Sequence, residues 1–328
     1  MVLLRFPLGD TWNGKESALA GKSVVIKSYG KINLVLDVLG LLPNGYHRVD
    51  MVMQQVELHD SVQVTLRKDS KDIRITTNHS RLPVDSRNLA YGAAQHMKEI
   101  MGYSKGMDIH LEKRIPLSSG LAGGSGNGAA VMLALDHLLE GEHNLDELLK
   151  LAQLLGSDVP FSLLGQIAGN SFLHENFPED ERPCHCAHAT GTGTQLRPLD
   201  GLDCWVVLVT PEMEVSTREI YDGWDEMMEK PSFPSHGFLE GLREKNWEKL
   251  QQNMGNGLEI VAGKKYPIIV YARNMLESLG GHRGTQMSGS GPTIFGLYEE
   301  ESVAKKVMLH MEKAFERVFL THTTTAGL

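Results

Sequence analysis

Between Pro116 and Ala130 the chain reads PLSSGLAGGSGNGAA, with glycines at 120, 123, 124, 126 and 128 directly ahead of an apolar run. Glycines let a backbone approach phosphate oxygens and turn several N–H groups inward, and a helix that follows adds its positive N-terminal end. Ser118, Ser119 and Ser125 can add hydroxyl donors. The chemistry such a segment serves is the cradling of a polyphosphate. It is not a Walker loop, which needs Gly-Lys-Ser/Thr, nor a dinucleotide turn, whose glycines are spaced differently with an acid about 20 residues on. Taken alone, it reads equally well as a flexible turn before a core helix.

Other elements must hold this segment in place. From Ser23, SVVIKSYGKINLVLDVLG reads as two strand-like runs around Tyr29-Gly30, and VMQQVELHDSVQVTLRK and KDIRITTN alternate as half-buried strands do. Asn88 opens the helical spacing LAYGAAQHMKEIMG, GMDIHLEKRIP is strand-like, and GAAVMLALDHLLE is an apolar helix. Asn144, with Glu147 placed for a capping box and Gly156 as terminator, frames LDELLKLAQLLG. That helix is expected to pack on the apolar one before it. DCWVVLVTP reads as a buried strand, and MSGSGPTIFGLY as a second glycine turn feeding a strand. Residues 1 to 22 show weak periodicity and are expected to be an N-terminal extension. A junction is expected between residues 190 and 205, giving domains of residues 23–195 and 196–328.

Composition narrows the class. Hydrophobic residues make up 41% and charged residues 22%, an ordinary globular balance. A net charge of -9 argues against a nucleic-acid partner, because phosphate backbones are held by clustered Lys and Arg. Three cysteines are too few and odd in number for a disulfide scaffold, which fits a reducing cytoplasm. The start lacks the basic, apolar and small-residue order of a signal peptide. No stretch approaches the roughly 18 apolar residues of a membrane span, so no membrane association is expected.

Three separated stretches, YGKINLVLDVLGLLPNGYHRVD, PLSSGLAGGSGNGAA and MSGSGPTIFG, resemble in content and order the three motifs of the GHMP small-molecule kinases. The resemblance runs from about Ser23 to the C-terminal region, and LGSDVPF, VSTREIY and NGLEIVAGKKYPII extend it toward a branch acting on a cytidyl alcohol. It implies an α+β, two-domain fold with the active site in the interdomain cleft. It also implies phosphoryl transfer from ATP, with Mg²⁺ neutralising phosphate charge and a small-molecule cytidyl substrate as acceptor.

Residue by residue, Lys31 and Asp158 match the family's catalytic pair. Phosphoryl transfer asks the protein mainly to place an alcohol in line with the γ-phosphate and to stabilise charge. Asp158 would accept the alcohol proton, and Lys31 would orient that carboxylate or hold phosphate oxygen. The resemblance gives ATP to Pro116, Ser118, Ser119, Gly120, Gly123, Gly124, Ser125, Gly126 and Asn127, and its adenine side to Asn88 and Lys113. It gives the cytosine to Tyr46, His47 and Tyr221, and further substrate contacts to Asn33 and Thr217. Ser288 and Gly289, in the third motif, support the wall of the site. Without the resemblance, Asn88 reads as a helix cap, Asp158 likewise, and Lys113 as a surface charge.

The chain departs from the family at three places. Gly30 stands where alanine usually precedes the motif lysine, and SGLAGGS replaces AGLGGGS, so that Ala122 brings a methyl group into the loop. Residues 170 to 190 exceed the usual connection and read as a surface insertion. Cys184, His185, Cys186 and His188 within it are metal-ligand types, yet four ligands so close in sequence strain to surround one tetrahedral ion. Two alternatives stay open: another GHMP kinase, acting on mevalonate derivatives or homoserine, or a catalytically silent nucleotide-binding protein on the same scaffold.

Overall fold

The computed structural model describes residues 16–325 of the chain; most of the extension expected over residues 1 to 22 lies outside them. The chain divides into two compact units, each assembled from discontinuous segments.

The first unit takes the chain up to Ser28, His59–Arg114 and Gly124–Asp180. Its elements are α1 (Glu16–Leu19), the start of β1 (Ser23–Leu41), the end of β2 (His47–Leu66), β3 (Ile73–Thr77), α2 (Leu89–Ile100), β4 (Met107–Glu112), α3 (Gly123–Leu138), α4 (Leu145–Leu155), α5 (Val159–Gly169) and α6 (Ser171–His174). β4 pairs antiparallel with β2, from Ser61 opposite Glu112 to Leu66 opposite Met107, and parallel with β3. Along β4, Met107, Ile109 and Leu111 are buried while Asp108 and His110 are exposed, the alternation of a strand covered on one face. The capping box of α4 forms as its spacing predicts: Asn144 Oδ1 accepts from Glu147 N and Glu147 Oε2 from Asn144 N. α4 packs chiefly on α5 and α2, not on α3 as adjacency in sequence suggested. The reason lies in α3, whose run Ala129–Leu135 is buried throughout; a helix apolar all round is enclosed by many elements.

The second unit takes Tyr29–Leu58, Ile115–Gly123 and the chain from Glu181 onward. Its further elements are β5 (Cys186–Gly191), β6 (Gln195–Pro198), β7 (Trp205–Val209), α7 (Thr217–Asp225), α8 (His236–Glu244), α9 (Trp247–Gln252), β8 (Gly255–Asn256), α10 (Gly257–Lys265), α11 (Pro267–Leu279), β9 (Gly284–Met287), β10 (Ile294–Tyr298), α12 (Glu301–Met311) and β11 (Val318–His322). β5 pairs antiparallel with the first half of β2 and with β6, and β8 pairs parallel with β1. A second, antiparallel sheet has the order β11-β7-β10-β9. Ile32, Leu34, Val52, Val206, Leu208 and Phe295 belong to the core of this unit.

Two local expectations are corrected. β1 is one continuous strand, not two runs broken at Tyr29-Gly30. Gly30 is there for close approach: a Cβ would stand 3.3 Å from Leu58 O and 3.4 Å from Ile115 Cδ1. The stretch from 170 to 190 is a surface excursion only in its first part. Cys184 and Cys186 are buried, and from Cys186 the chain is a strand of the sheet. Among the described residues no helix is long and apolar enough to cross a membrane.

Candidate active site

The glycine segment is organised from both ends. Lys31 N donates to Leu121 O at 3.0 Å, joining it to β1, and Thr293 N donates to Ser119 O at 3.3 Å, joining it to the third motif. Ser288 Oγ donates to Gly120 O at 3.0 Å. Gly120 has φ +78°, and a Cβ there would meet Ser288 O at 2.2 Å, so both backbone and space require glycine. Ser118 and Ala122 flank it at φ +50° and +56°, conformations that cost a side-chain-bearing residue energy and that persist where surrounding structure over-determines them. Helix α3 begins at Gly123, not near Gly128 as its apolar run suggested. Gly123, Gly124, Ser125 and Gly126 are therefore its first turn, whose N–H groups have no partner within the helix. Pro116 is half-buried, Ser118 exposed and Ser119 buried.

Lys31 is 4% exposed and Asn33 1%. They share a face of β1, at i and i+2, and Lys31 Nζ donates to Asn33 Oδ1 at 2.5 Å. Gln286 Nε2 donates to Asn33 O, fixing the strand against β9. Gly289, at φ +58°, sits so that a Cβ would lie 3.4 Å from Lys31 Nζ. Asn256 caps α10 through Oδ1 and donates from Nδ2 to Met287 O and Gly289 O, both at 2.8 Å. The lysine strand, the glycine segment and the third motif are thus hydrogen-bonded into one framework.

Two of the three residues expected at the cytosine, His47 and Tyr221, are in contact within the same unit. The rings of His47 and Tyr221 lie 4.6 Å apart, centroid to centroid, tilted by 32°. His47 Nε2 lies 2.9 Å from Asp225 Oδ1 and 3.0 Å from Oδ2. Asp225 escaped sequence reasoning; the signal was its i+4 spacing from Tyr221 on α7. Thr217 Oγ1 lies 2.9 Å from Ser290 Oγ. Tyr46, in the turn before β2, is 59% exposed.

Asp158 occupies the N-cap position of α5, yet its side chain makes no cap hydrogen bond, and Pro160 supplies the helix start. This differs from Asn88, whose side chain is spent on its helix: Oδ1 accepts from Ala90 N and Nδ2 donates to Pro83 O. Lys113, read from sequence alone as a surface charge, is buried. Its Nζ donates to Asp60 Oδ2 and, at 2.9 Å, to Asn127 Oδ1. Asp60 was missed because a lone acid in an alternating strand gives no sign of its partner.

The Cys/His cluster is used internally. His185 Nδ1 lies 2.8 Å from Gln55 Oε1, and His188 Nε2 lies 2.7 Å from Asp50 Oδ1. Burial pushes the Cys184 thiol up to about 12 and Cys186 higher, so neither offers a thiolate. Burial also lowers His185. For Asp50, burial raises the carboxyl, and hydrogen bonds from His188 and Ser235 outweigh it, leaving it below the usual range.

The family profile for the GHMP kinases N terminal domain matches residues 88–166, and that for the GHMP kinases C terminal domain matches residues 238–317. Fold and motifs together define a GHMP kinase, an α+β small-molecule kinase that uses ATP. The 4-diphosphocytidyl-2-C-methyl-D-erythritol kinase of Alkaliphilus oremlandii is 36% identical over 310 residues, 93% of this chain and 98% of its own. That of Alkaliphilus metalliredigens is 37% identical over 305 residues, 92% of this chain and 97% of its own. A crystal structure of 4-(cytidine 5'-diphospho)-2C-methyl-D-erythritol kinase superposes with a TM-score of 0.72 at 30% identity, over 93% of this chain and 100% of that one. The chain belongs to the family of 4-diphosphocytidyl-2-C-methyl-D-erythritol kinases.

Proposed function

We propose that this chain transfers the γ-phosphoryl group of ATP to the 2-hydroxyl of 4-diphosphocytidyl-2-C-methyl-D-erythritol, a step of non-mevalonate isoprenoid precursor synthesis. The observation that carries the substrate is the His47–Tyr221–Asp225 arrangement. Two near-stacked rings give a flat base a surface on which to lie. A carboxylate that holds one imidazole nitrogen fixes how the other is presented, as reading the edge of a cytosine requires. A kinase for a small aliphatic alcohol has no use for such a platform.

The glycine segment and first turn of α3 cradle the phosphates with backbone N–H groups and the Ser118, Ser119 and Ser125 hydroxyls. In the transfer, the substrate's 2-oxygen forms the new P–O bond as the bond from the γ-phosphorus to the bridging oxygen breaks, and ADP leaves. The alcohol proton passes to the Asp158 carboxylate, which is not consumed by helix capping. Lys31 has three ammonium donors, one directed at Asn33; its charge favours the phosphate oxygens in flight. Mg²⁺ would be held mainly by the phosphates, as a hard ion satisfied by one or two protein oxygens. Ser125 Oγ and the Asp158 carboxylate are donors of the right kind. The ion would supply charge neutralisation.

ADP release measured with ATP, Mg²⁺ and a panel of alcohols tests this reading. Turnover with the cytidyl substrate, and not with mevalonate or homoserine, is expected. Release with another alcohol alone would end the substrate assignment, and no release with any would favour a silent nucleotide binder. Asp158→Asn should lower kcat by about a hundredfold or more while ADP binding persists.

A further inference from the structure

Asp60 joins the two ends of the glycine segment. Its Oδ1 accepts from Arg114 N at 2.8 Å, and its Oδ2 accepts from Lys113 Nζ and, at 3.0 Å, from Asn127 Nδ2. Lys113 and Arg114 are the last residues before Ile115; Asn127 follows Gly126 in α3. The carboxylate therefore closes the base of the stretch from Ile115 to Gly126. Lys113 and Asn127 also bond each other, and Asn127 Nδ2 reaches Ser28 Oγ at 3.2 Å. The stem is pinned once more outside this set, where Asn78 Oδ1 accepts from Lys113 N at 2.8 Å and Asn78 Nδ2 donates to Lys113 O at 3.1 Å.

The burial of this set is what calls for a role. The side chains of Asp60 and Lys113 are 0% and 2% exposed. A buried ion pair is weak evidence of stability, since apolar residues of like volume often do as well; its better-attested use is to fix one arrangement among several. A stretch that carries four glycines, with Gly120 at φ +78°, has many arrangements to choose from unless its ends are held.

The geometry points to Asp60, Lys113 and Asn127 as a clamp that sets the separation and direction of the two ends of the glycine segment, and hence the aim of its N–H groups. They are positioning residues for nucleotide binding, with Lys113 and Asn127 acting through the segment rather than by touching ATP. This rests on the reading that the segment holds nucleotide phosphates.

Two variants of the full chain test it: Asp60→Asn, which keeps the shape and removes the charge, and the double variant Asp60→Leu/Lys113→Met, which replaces the pair by apolar side chains. ADP affinity with Mg²⁺ is measured by calorimetry, and KM for ATP and for the cytidyl substrate by ADP release. In a folded variant, the ADP Kd and the ATP KM should each rise about tenfold or more, as for any loss of preorganisation, with the KM of the cytidyl substrate within about twofold. Variants that fold and bind ADP like the wild type overturn the clamp. So does failure of both to fold, which would make the set a requirement of folding. A wild type that binds no ADP would instead sink the phosphate reading of the segment itself.

Discussion

Ser288 Oγ donates to Gly120 O at 3.0 Å, and a Cβ on Gly120 would stand 2.2 Å from Ser288 O. The second and third motifs thus meet backbone to backbone at a point where no side chain fits. Gly120→Ala combines a positive φ of 78° with a clash against a carbonyl oxygen, neither of which a flexible side chain can relieve. We expect a loss of about 2–3 kcal/mol of stability, read as a lower denaturant midpoint, together with weaker ADP binding. A variant with unchanged midpoint and affinity would show that the two motifs do not depend on this approach.

Ala122 poses the opposite case, a methyl group held at φ +56°. The left-handed conformation costs a non-glycine residue about 1–2 kcal/mol, and the greater freedom of glycine in the unfolded chain returns part of any gain from removing it. Ala122→Gly should stabilise by about 0.5–1 kcal/mol, visible as a rise in the denaturant midpoint. A fall would mean that the methyl group makes contacts that outweigh the strain.

The platform at His47 predicts a change confined to one substrate. Asp225→Asn keeps the shape beside His47 and removes the charge that holds its imidazole. The KM of the cytidyl substrate should rise about tenfold, the size of one hydrogen bond to a charged group, while the KM of ATP stays put. Equal changes in both would point to a general loss of structure.

His143 supplies a pH dependence. The Asp136 carboxylate lies 2.6 Å from its Nδ1 and raises the imidazole above the ordinary value of 6.5, against a smaller opposing effect of burial. A raised folded value means that the pair's contribution is fully present below the unfolded value and is lost as pH rises through the folded one. The stability difference between wild type and His143→Gln should therefore be larger near about pH 6 than near about pH 9. A difference that does not change over that range would show the pair to be uncoupled from protonation.

What could be read from the residues was whatever local chemistry dictates. Asn144, Glu147 and Gly156 spell out a helix start and stop, and the apolar alternation of β4 spells out a covered face, because each depends on neighbours in sequence. Gly30 misled, since a glycine that admits the Leu58 carbonyl looks the same in sequence as one that makes a turn. Lys113 misled for the same reason: its burial is decided by Asp60, and nothing near either residue announces the other. The Cys/His cluster looked like an excursion because its pairing partner, the first half of β2, lies far back in the chain. For the proposed site, the motifs point to Lys31, the glycine segment, the third motif and the ring pair, whereas Asp225, which bonds His47, and Asp60, which bonds Arg114 and Asn127, are brought to them only by the fold.

The most direct test of the phosphoryl transfer is the ³¹P NMR spectrum of a completed reaction with ATP, Mg²⁺ and 4-diphosphocytidyl-2-C-methyl-D-erythritol. A new phosphomonoester signal should appear in step with ADP, with the diphosphate bridge of the substrate intact and the added group on the 2-oxygen. Consumption of ATP without that signal, or a phosphomonoester formed only from a different alcohol, would contradict the account.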